Sequence, residues 1–348
     1  MSSSQLSPWL HTQLSTLLSR RGHAWLLQGP SGLGQYNLAL ELARAWLCEN
    51  PTPAGACYKC SSCHSVDVRT HPDLCVLMPE TMALELEWPL DEKSQKEIDD
   101  KKRKPSKEIR VESAREMISF SQHTRSGGHT KVVLVYPAER MNHVTANAIL
   151  KTLEEPPGEC RFILASEAAH ILLPTIRSRC QTHTMVWPDE KEALDWLVAQ
   201  GLPSADAKAT LRAAGGRPED ALQLASTGLK AAQWSGFPLM VSRGQLAALA
   251  DLTPAQAIDR LQKLCHDMLA LHTGAIPRFF EVADLQAVLG NAKGASAKGS
   301  DSTGSSGTLY SLTQWAKDLM EAARTAQHTY NPGLMLEALM AQAQQALR

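Results

Sequence analysis

The sequence predicts an α/β domain with a parallel sheet, followed by a region built only of helices. Short apolar runs alternate with helical patterns as far as Trp187, and after Pro188 the pattern is helical only. Alternation of this kind is typical of a parallel sheet covered by helices. We predict an α/β domain at residues 1–187, a small helical domain at 188–229 and a second helical domain at 230–348.

Five apolar runs are the predicted strands. In chain order they are HAWLLQ (23–28), PDLCVLM (72–78), KVVLVY (131–136), RFILAS (161–166) and THTMVW (182–187). The third is apolar almost throughout, as a central parallel strand should be. A helix is predicted over NHVTANAILKTLEE, and Pro156 and Pro157 end it because a residue before proline disfavours helical angles.

Two segments have the composition of loops. Eleven of the fourteen residues from Asp91 to Lys104 are charged, and the two signs nearly balance. We therefore predict a flexible, solvated insertion at about residues 82–107, rather than a DNA-binding arm. The segment NAKGASAKGSDSTGSSG (291–307) has the composition of a flexible linker and predicts an exposed loop between two helices.

Composition excludes several functional classes. The net charge is −1, the pI is near 6.9 and aromatic residues are 5% of the chain, so neither a basic DNA-binding surface nor a stacking platform is indicated. No apolar run is long enough to predict a membrane span, and the first residues lack the pattern of a signal peptide. Eight cysteines without a secretion signal indicate reduced thiols or a metal site. We expect a cytoplasmic protein.

The stretch QGPSGLGQYNLALELA (28–43) follows the first predicted strand. Its frame from Gly29 to Gly34 matches the start of the phosphate-binding pattern Gly-x-x-x-x-Gly-Lys-Ser/Thr. The next two residues should be the lysine that contacts phosphate and the hydroxyl that binds magnesium, but here they are Gln35 and Tyr36. The sequence thus keeps the glycine frame of a nucleotide site without its two functional side chains.

Four cysteines have the spacing of a metal site. Cys48, Cys57, Cys60 and Cys63 form the pattern Cys-x8-Cys-x2-Cys-x2-Cys. Four thiolates complete a closed tetrahedral zinc shell, which leaves no position for substrate, so we predict a structural zinc ion. Clustered free thiols and an iron–sulfur cluster are the alternatives. The other four cysteines are predicted to be buried free thiols: Cys75, Cys160, Cys180 and Cys265.

Two arginines occur in TIRSRC (175–180), between the fourth and fifth predicted strands. Taken by themselves, Arg177 and Arg179 are compatible with plain surface charge. A functional role requires a phosphate for the guanidinium group to contact.

Taken together, these features resemble the delta-prime subunits of the bacterial DNA polymerase III clamp loader, a family with an AAA+-type fold. The resemblance covers most of the chain. It is carried by the four-cysteine module, THPD (70–73), ANAILKTLEEPP (146–157) and SRC (178–180). The last two also occur in the ATP-hydrolysing clamp-loader subunit, and the degenerate phosphate loop favours delta-prime.

The resemblance implies that the chain's own ATPase site is inactive. ATP-hydrolysing relatives have an Asp-Glu pair after the third strand and an arginine in the small helical domain. The matching positions here are Tyr136, Pro137 and Glu219. With Gln35 and Tyr36, nearly every group used in phosphoryl transfer is missing. We expect no intrinsic ATPase activity and no bound ATP.

The resemblance also implies what the chain contributes. Arg179 matches the family's arginine finger, a catalytic group that acts in trans on ATP held by a neighbouring subunit. The implied assembly is a heteropentamer with delta and the gamma or tau ATPase subunits, which loads the sliding clamp onto primer-template DNA within the polymerase holoenzyme. In this family the domain at 188–229 is a lid and the domain at 230–348 an oligomerisation collar.

Two other functions are compatible with parts of the sequence. The first is an ATPase with an unorthodox phosphate loop, which nucleotide binding and turnover by the isolated chain would reveal. The second is a zinc-dependent nucleic-acid-binding module. Only Lys59 and Arg69 lie near the cysteines as cations, too few to follow a phosphate backbone.

Overall fold

The structure is a computed structural model that describes residues 6–127, 130–295, 304–326 and 331–347. The chain separates into two compact units, Met1–Glu192 and Ala193–Arg348. The first unit contains the sheet and the second is helical, which confirms an α/β domain followed by helices. The finer division into three domains stays a prediction.

The first unit is built on a five-stranded sheet with the order β2-β3-β4-β1-β5, in which every neighbouring pair is parallel. The strands are β1 (Ala24–Gln28), β2 (Leu74–Leu77), β3 (Lys131–Val135), β4 (Cys160–Ser166) and β5 (Gln181–Thr184). All five predicted strands are confirmed. β5 ends at Thr184, three residues before the predicted end, and the next contact is the hydrogen bond from the Met185 N–H to the Gln28 carbonyl, 2.8 Å.

Several helices pack on this sheet through an apolar stripe, among them α2 (Gln35–Leu47) and α6 (Val111–Gln122). On α2, Leu38, Leu42 and Leu47 are buried as the sequence predicts. The helices of this part of the chain are α1 (Pro8–Ser19), α2 (Gln35–Leu47), α3 (Ser61–Asp67), α4 (Glu80–Glu85), α5 (Glu92–Asp99), α6 (Val111–Gln122), α7 (His143–Glu154) and α8 (Pro174–Arg177). The helix that Pro156 and Pro157 were expected to end is α7.

The predicted flexible insertion at 82–107 is wrong, because this segment contains helix α5 and the end of α4. The Asp91 carboxylate caps α5 by accepting the Ser94 N–H at 2.8 Å. Arg103 donates to Glu80 at 2.8 Å and to Glu97 at 2.8 Å. The charges therefore pair with one another across the segment, which their abundance in the sequence could not indicate.

The second unit contains helices alone within the described residues. They follow α9 (Glu190–Ala199), which crosses the division between the units: α10 (Ser204–Ala213), α11 (Pro218–Ser226), α12 (Ala231–Ser242), α13 (Pro254–His272), α14 (Val282–Ala295), α15 (Gly304–Thr325) and α16 (Pro332–Ala346). Its core includes Trp234 stacked on Phe280 with ring centroids 4.5 Å apart. The buried Asp267 carboxylate accepts the backbone N–H groups of Arg278, Phe279 and Phe280.

The predicted loop at 291–307 is wrong for its two ends, which lie in helices. α14 continues to Ala295 and α15 begins at Gly304, while 296–303 lie outside the described residues. Glycine and serine lower helix propensity but do not exclude helix where the neighbouring turns are packed. In the parts of the chain that the structure describes, none of the helices is both long and apolar enough to cross a membrane.

Substitution of Glu80 tests whether its ion pairs order the charged segment at 82–107. Burial alone would raise its pKa, but the bonds from Arg103 and from the Ser106 N–H hold the pKa below its usual value. We expect Glu80→Gln to lower the free energy of unfolding by about 1–2 kcal/mol at neutral pH, because it weakens charge-assisted hydrogen bonds. Urea unfolding measures this.

The depressed pKa fixes the sign of the pH dependence. The contribution of Glu80 is present above the pKa of an unfolded glutamate and disappears as the pH falls through the lower folded value. The wild type and Glu80→Gln should therefore converge in acid. Asp100→Asn, in an exposed ion pair with Lys102, is the control and should change little. An equal effect of the two variants would contradict the ordering role of Glu80.

Candidate functional site

The glycine-rich loop joins β1 to α2 at the carboxyl edge of the sheet. Gly34 has φ = 89°, the left-handed conformation that a glycine adopts without strain, and α2 begins immediately after it. Gln35 takes the position of the phosphate-binding lysine and is 2% exposed. Its Nε2 donates to the carbonyls of Gly29 at 2.9 Å and Pro30 at 2.6 Å. The Gln35 side chain thus holds the loop closed by bonding to two of its backbone carbonyls.

Aromatic rings occupy the neighbourhood of the missing magnesium ligands. Tyr36 and Tyr136 stand at the positions where the resemblance leads us to expect the magnesium-binding hydroxyl and the first acid, and their ring centroids lie 5.2 Å apart. The Trp88 Nε1–H donates to the Tyr36 hydroxyl at 2.6 Å. Burial raises the pKa of Tyr36, so its hydroxyl stays neutral. We call Tyr36, Trp88 and Tyr136 the aromatic cluster.

The aromatic cluster makes further contacts with Glu167 and with Arg69. The Tyr136 hydroxyl donates to Glu167, just after β4, at 2.7 Å. Arg69 lies over the Trp88 ring, 5.1 Å from its centroid, and donates to the Leu86 carbonyl at 2.9 Å. The segment after α4 is therefore held over the degenerate loop by a cation–π contact and a hydrogen bond.

The remaining predicted ATPase positions are Pro137 and Glu219. Pro137 follows Tyr136 and carries neither the charge nor the oxygen of the acid that it replaces. Glu219 lies in the first turn of α11, next to the ion pair between Arg217 and Asp220 (3.0 Å). No arginine occupies the matching position.

The four predicted metal ligands come together at the end of α2. The Sγ atoms of Cys48, Cys57, Cys60 and Cys63 all lie within 4.8 Å of one another. Cys48 and Cys60 are 3.8 Å apart, and Cys57 and Cys63 are 4.0 Å apart. Zinc–sulfur bonds of about 2.3 Å in a tetrahedron place the sulfur atoms about 3.8 Å apart, so the cluster fits one four-coordinate ion.

Backbone N–H groups lower the pKa of Cys57 and Cys60, whereas burial raises the pKa of Cys48 and Cys63. The Cys57 N–H donates to the Cys48 sulfur at 3.3 Å, and the Cys63 N–H to the Cys60 sulfur at 3.4 Å. The N–H groups of Lys59 and Cys60 lower the pKa of Cys57 to about 6. A metal ion would bind all four as thiolates and supply the positive charge that holds them together.

A network of ion pairs and hydrogen bonds joins the cysteine module to α2. Arg44 forms ion pairs with Asp67, the last residue of α3, and with Glu41 at 3.2 Å. The Tyr58 hydroxyl donates to Glu41 at 2.9 Å. Two residues beyond Asp67, Arg69 reaches the aromatic cluster. One short helix thus connects the metal ligands with the degenerate loop.

The THPD segment fixes this module against β2. The His71 Nδ1 accepts the Asp73 N–H at 3.0 Å, so Nε2 carries the proton and donates to Ser62 at 2.7 Å. The Ser62 hydroxyl in turn donates to the Leu47 carbonyl at 2.6 Å. His71 and Ser62 thus have a structural role, since their side chains bond to one another and to the backbone.

Arg179 lies at the other edge of the sheet. It precedes β5, whose residue Gln181 is paired with Trp25 near the start of β1, whereas the glycine-rich loop follows the end of β1. Its guanidinium group bonds to Glu154 at 2.7 and 2.8 Å, and to the Thr175 carbonyl at 3.0 Å. The side chain is 29% exposed.

Sequence analysis missed Trp88 and the ion pair of Arg179 with Glu154. A single tryptophan at the margin of a highly charged segment was a usable signal, because such a ring is rarely left fully in water. The other cysteines are free thiols as predicted, but only Cys160 and Cys265 are buried, while Cys75 and Cys180 are half-buried. Burial raises their pKa values. These are about 12 for Cys75, Cys180 and Cys265 and about 11 for Cys160.

A family model described as "DNA polymerase III, delta subunit" matches residues 5–187. The DNA polymerase III delta-prime subunit of Pseudomonas aeruginosa is 38% identical over 228 residues, covering 64% of this chain and 62% of that protein. The Escherichia coli delta-prime subunit is 35% identical over 224 residues, covering 62% of this chain and 60% of that protein. The match thus spans about three fifths of these relatives.

A solved structure gives a more distant likeness. A DNA polymerase III gamma subunit-related protein from Thermotoga maritima aligns with 98% of this chain and 100% of its own, with 18% identity and a TM-score of 0.44.

The closed loop leads to a prediction about restoring the nucleotide site. We expect that Gln35→Lys combined with Tyr36→Thr does not restore tight binding of magnesium-ATP, because Tyr136 and Pro137 stand at the positions expected for the two acids and Trp88 stays nearby. Calorimetry with the full chain measures this, and circular dichroism checks the fold. Micromolar, magnesium-dependent binding by the double variant would show that these two residues alone exclude nucleotide.

Proposed function

The chain belongs to the DNA polymerase III delta-prime family of clamp-loader subunits, and from this membership we propose that it serves as a subunit that does not hydrolyse ATP but supplies Arg179 to the ATP site of a neighbour. The family model covers more than half of the chain, residues 5–187. The proposal has two parts, which rest on different residues.

The proposed absence of ATP hydrolysis is supported by the side chains that lie at the glycine-rich loop. Gln35 bonds to the loop's own carbonyls, and the aromatic cluster supplies no anionic ligand for magnesium. Phosphoryl transfer depends on positioning the phosphates and neutralising their charge. A neutral amide and neutral rings do neither, which also weighs against an ATPase with an unorthodox loop.

The role in trans is carried by the position of Arg179. β5 is about 13 Å long at 3.3 Å per residue, and it separates this arginine from the edge where the glycine-rich loop lies. The side chain is partly exposed and already oriented by Glu154. An arginine placed in this way cannot serve its own loop, but it can contact a phosphate that another subunit brings to this edge.

The assembly is proposed on the same basis. We infer a heteropentamer with delta and the gamma or tau ATPase subunits, with residues 230–348 as the oligomerisation collar and 188–229 as the lid of an AAA+-type subunit. It would load the sliding clamp onto primer-template DNA within the polymerase holoenzyme, in the cytoplasm.

We propose zinc as the metal of the cysteine module, with a structural role. Four thiolates suit zinc or a single iron ion, whereas a cluster of several irons would spread its ligands farther apart than 4.8 Å. A closed shell of four protein ligands leaves no open position for substrate. Zinc would thus stabilise the junction of α2 and α3.

Replacing Arg179 tests the role in trans. We expect Arg179→Ala to fold and to join the complex, since its ion pair lies at the surface. ATP turnover at the one neighbouring site should fall by up to about 10³–10⁵-fold, and clamp loading should fall with it, while total turnover falls less because other sites keep their own arginines. Steady-state ATPase and clamp-loading assays measure both.

Arg177→Ala is the matched control for this variant. Arg177 is exposed, ends α8 and lies two residues away, so its loss should leave turnover close to that of the wild type. The trans role is wrong if an Arg179→Ala complex of confirmed mass turns over ATP and loads clamps like the wild type.

Metal content tests the zinc assignment. We expect one zinc ion per chain, and Cys60→Ser should lose most of it because three thiolates leave the shell incomplete. Structural zinc contributes about 10–16 kcal/mol of apparent binding energy in small modules, so loss should loosen the junction of α2 and α3 while the sheet persists. Cys180→Ser, outside the cluster, should keep its metal. Elemental analysis that finds iron, or no metal, would refute zinc.

A further inference from the structure

A cavity of about 410 Å³ lies at the amino edge of the sheet, away from the degenerate loop. It is lined on one side by the end of α6 and the loop after it (121–125), and on the other by the loop that leads into β4 (157–160). Lys131, the first residue of β3, also lines it. The glycine-rich loop lies at the opposite, carboxyl edge.

Lys131 is an unusual residue for this position, because it is only 5% exposed. Its ammonium group donates to the Phe120 carbonyl at 2.6 Å and lies 4.3 Å from the centroid of the Phe120 ring. An ammonium group has three N–H donors, and this carbonyl satisfies one of them. Within the described residues no carboxylate lies within 4.0 Å of it.

A buried cation without a counter-charge is costly. The carbonyl and the ring offset part of this cost but do not neutralise the charge. Arg125 adds a second positive charge to the lining, and Glu159 adds one exposed negative charge. The lining thus favours an anionic group small enough to enter the cavity and reach Lys131.

The burial of Lys131 distinguishes between two sources of the anionic group, a nucleic-acid phosphate and a protein carboxylate. A nucleic-acid phosphate belongs to a stiff backbone that is followed by rows of exposed cations. A carboxylate at the end of a protein side chain can enter a cavity of this size alone. We propose that this cavity binds an acidic side chain of a partner protein, with Lys131 as its ion-pairing residue and Arg125 as a second positive contact.

Peptide binding to the full chain tests this proposal. The probe is a fluorescein-labelled hexapeptide of alternating aspartate and serine, and the control peptide has asparagine in place of aspartate. Binding is measured by fluorescence polarisation, and we expect the acidic peptide to bind and the control peptide not to bind. Lys131→Met should weaken binding at least about tenfold, because a charge-assisted hydrogen bond and ion pair are lost.

Two further variants keep the test specific. Arg125→Gln should weaken binding by a smaller factor and guards against a fold defect in Lys131→Met. Lys191→Met removes one exposed positive charge elsewhere and should bind like the wild type. Circular dichroism melting confirms that each variant is folded.

The remaining outcomes overturn the proposal. They are no binding of the acidic peptide up to millimolar concentration, or binding that Lys131→Met and Arg125→Gln leave unchanged. A third is Lys131-dependent binding of inorganic phosphate or a twelve-nucleotide single strand in place of the peptide, which would make the cavity a phosphate site.

Discussion

The parallel pairing of β1 with β5 is the constraint on which the functional interpretation depends. It aligns Trp25 with Gln181 and Gln28 with Thr184, so that the segment after one strand and the segment before the other lie at opposite edges. The glycine-rich loop and Arg179 are therefore kept apart by hydrogen-bond register, not by flexible chain. Any arrangement that brought them together would have to break the sheet.

At the carboxyl edge, packed side chains stand at the positions where the resemblance leads us to expect the groups of a nucleotide site. A nucleotide site needs a lysine, a magnesium ligand and acids, all of them charged or polar groups that are costly to bury without their ligand. Gln35 and the aromatic cluster fill that space with groups that satisfy one another. Since Cys60 caps α3, Cys63 lies in its first turn and Asp67 is its last residue, the cysteine module supports the same arrangement.

The sequence predicted what depends on local pattern. Buried parallel strands are continuous apolar runs, and two-residue gaps bring thiols together, so the sheet and the cysteine cluster could be inferred without coordinates. The charged segment could not, because Arg103 bonds to Glu80, 23 residues away, and no periodicity reports such pairing. The same holds for Trp88 on Tyr36, 52 residues apart, and for the buried position of Lys131.

The contact between Arg179 and Glu154 also has a kinetic meaning. A partly exposed ion pair contributes only about 0–1 kcal/mol, so it orients the guanidinium group without trapping it. In the proposed role in trans, a phosphate oxygen of the neighbour would replace the Glu154 carboxylate while the arginine keeps its bond to the Thr175 carbonyl. The side chain is thus stored in an ordered conformer. For the proposed subunit, the slow step in engaging a neighbour would be the docking of the two proteins, not a search by a disordered arginine.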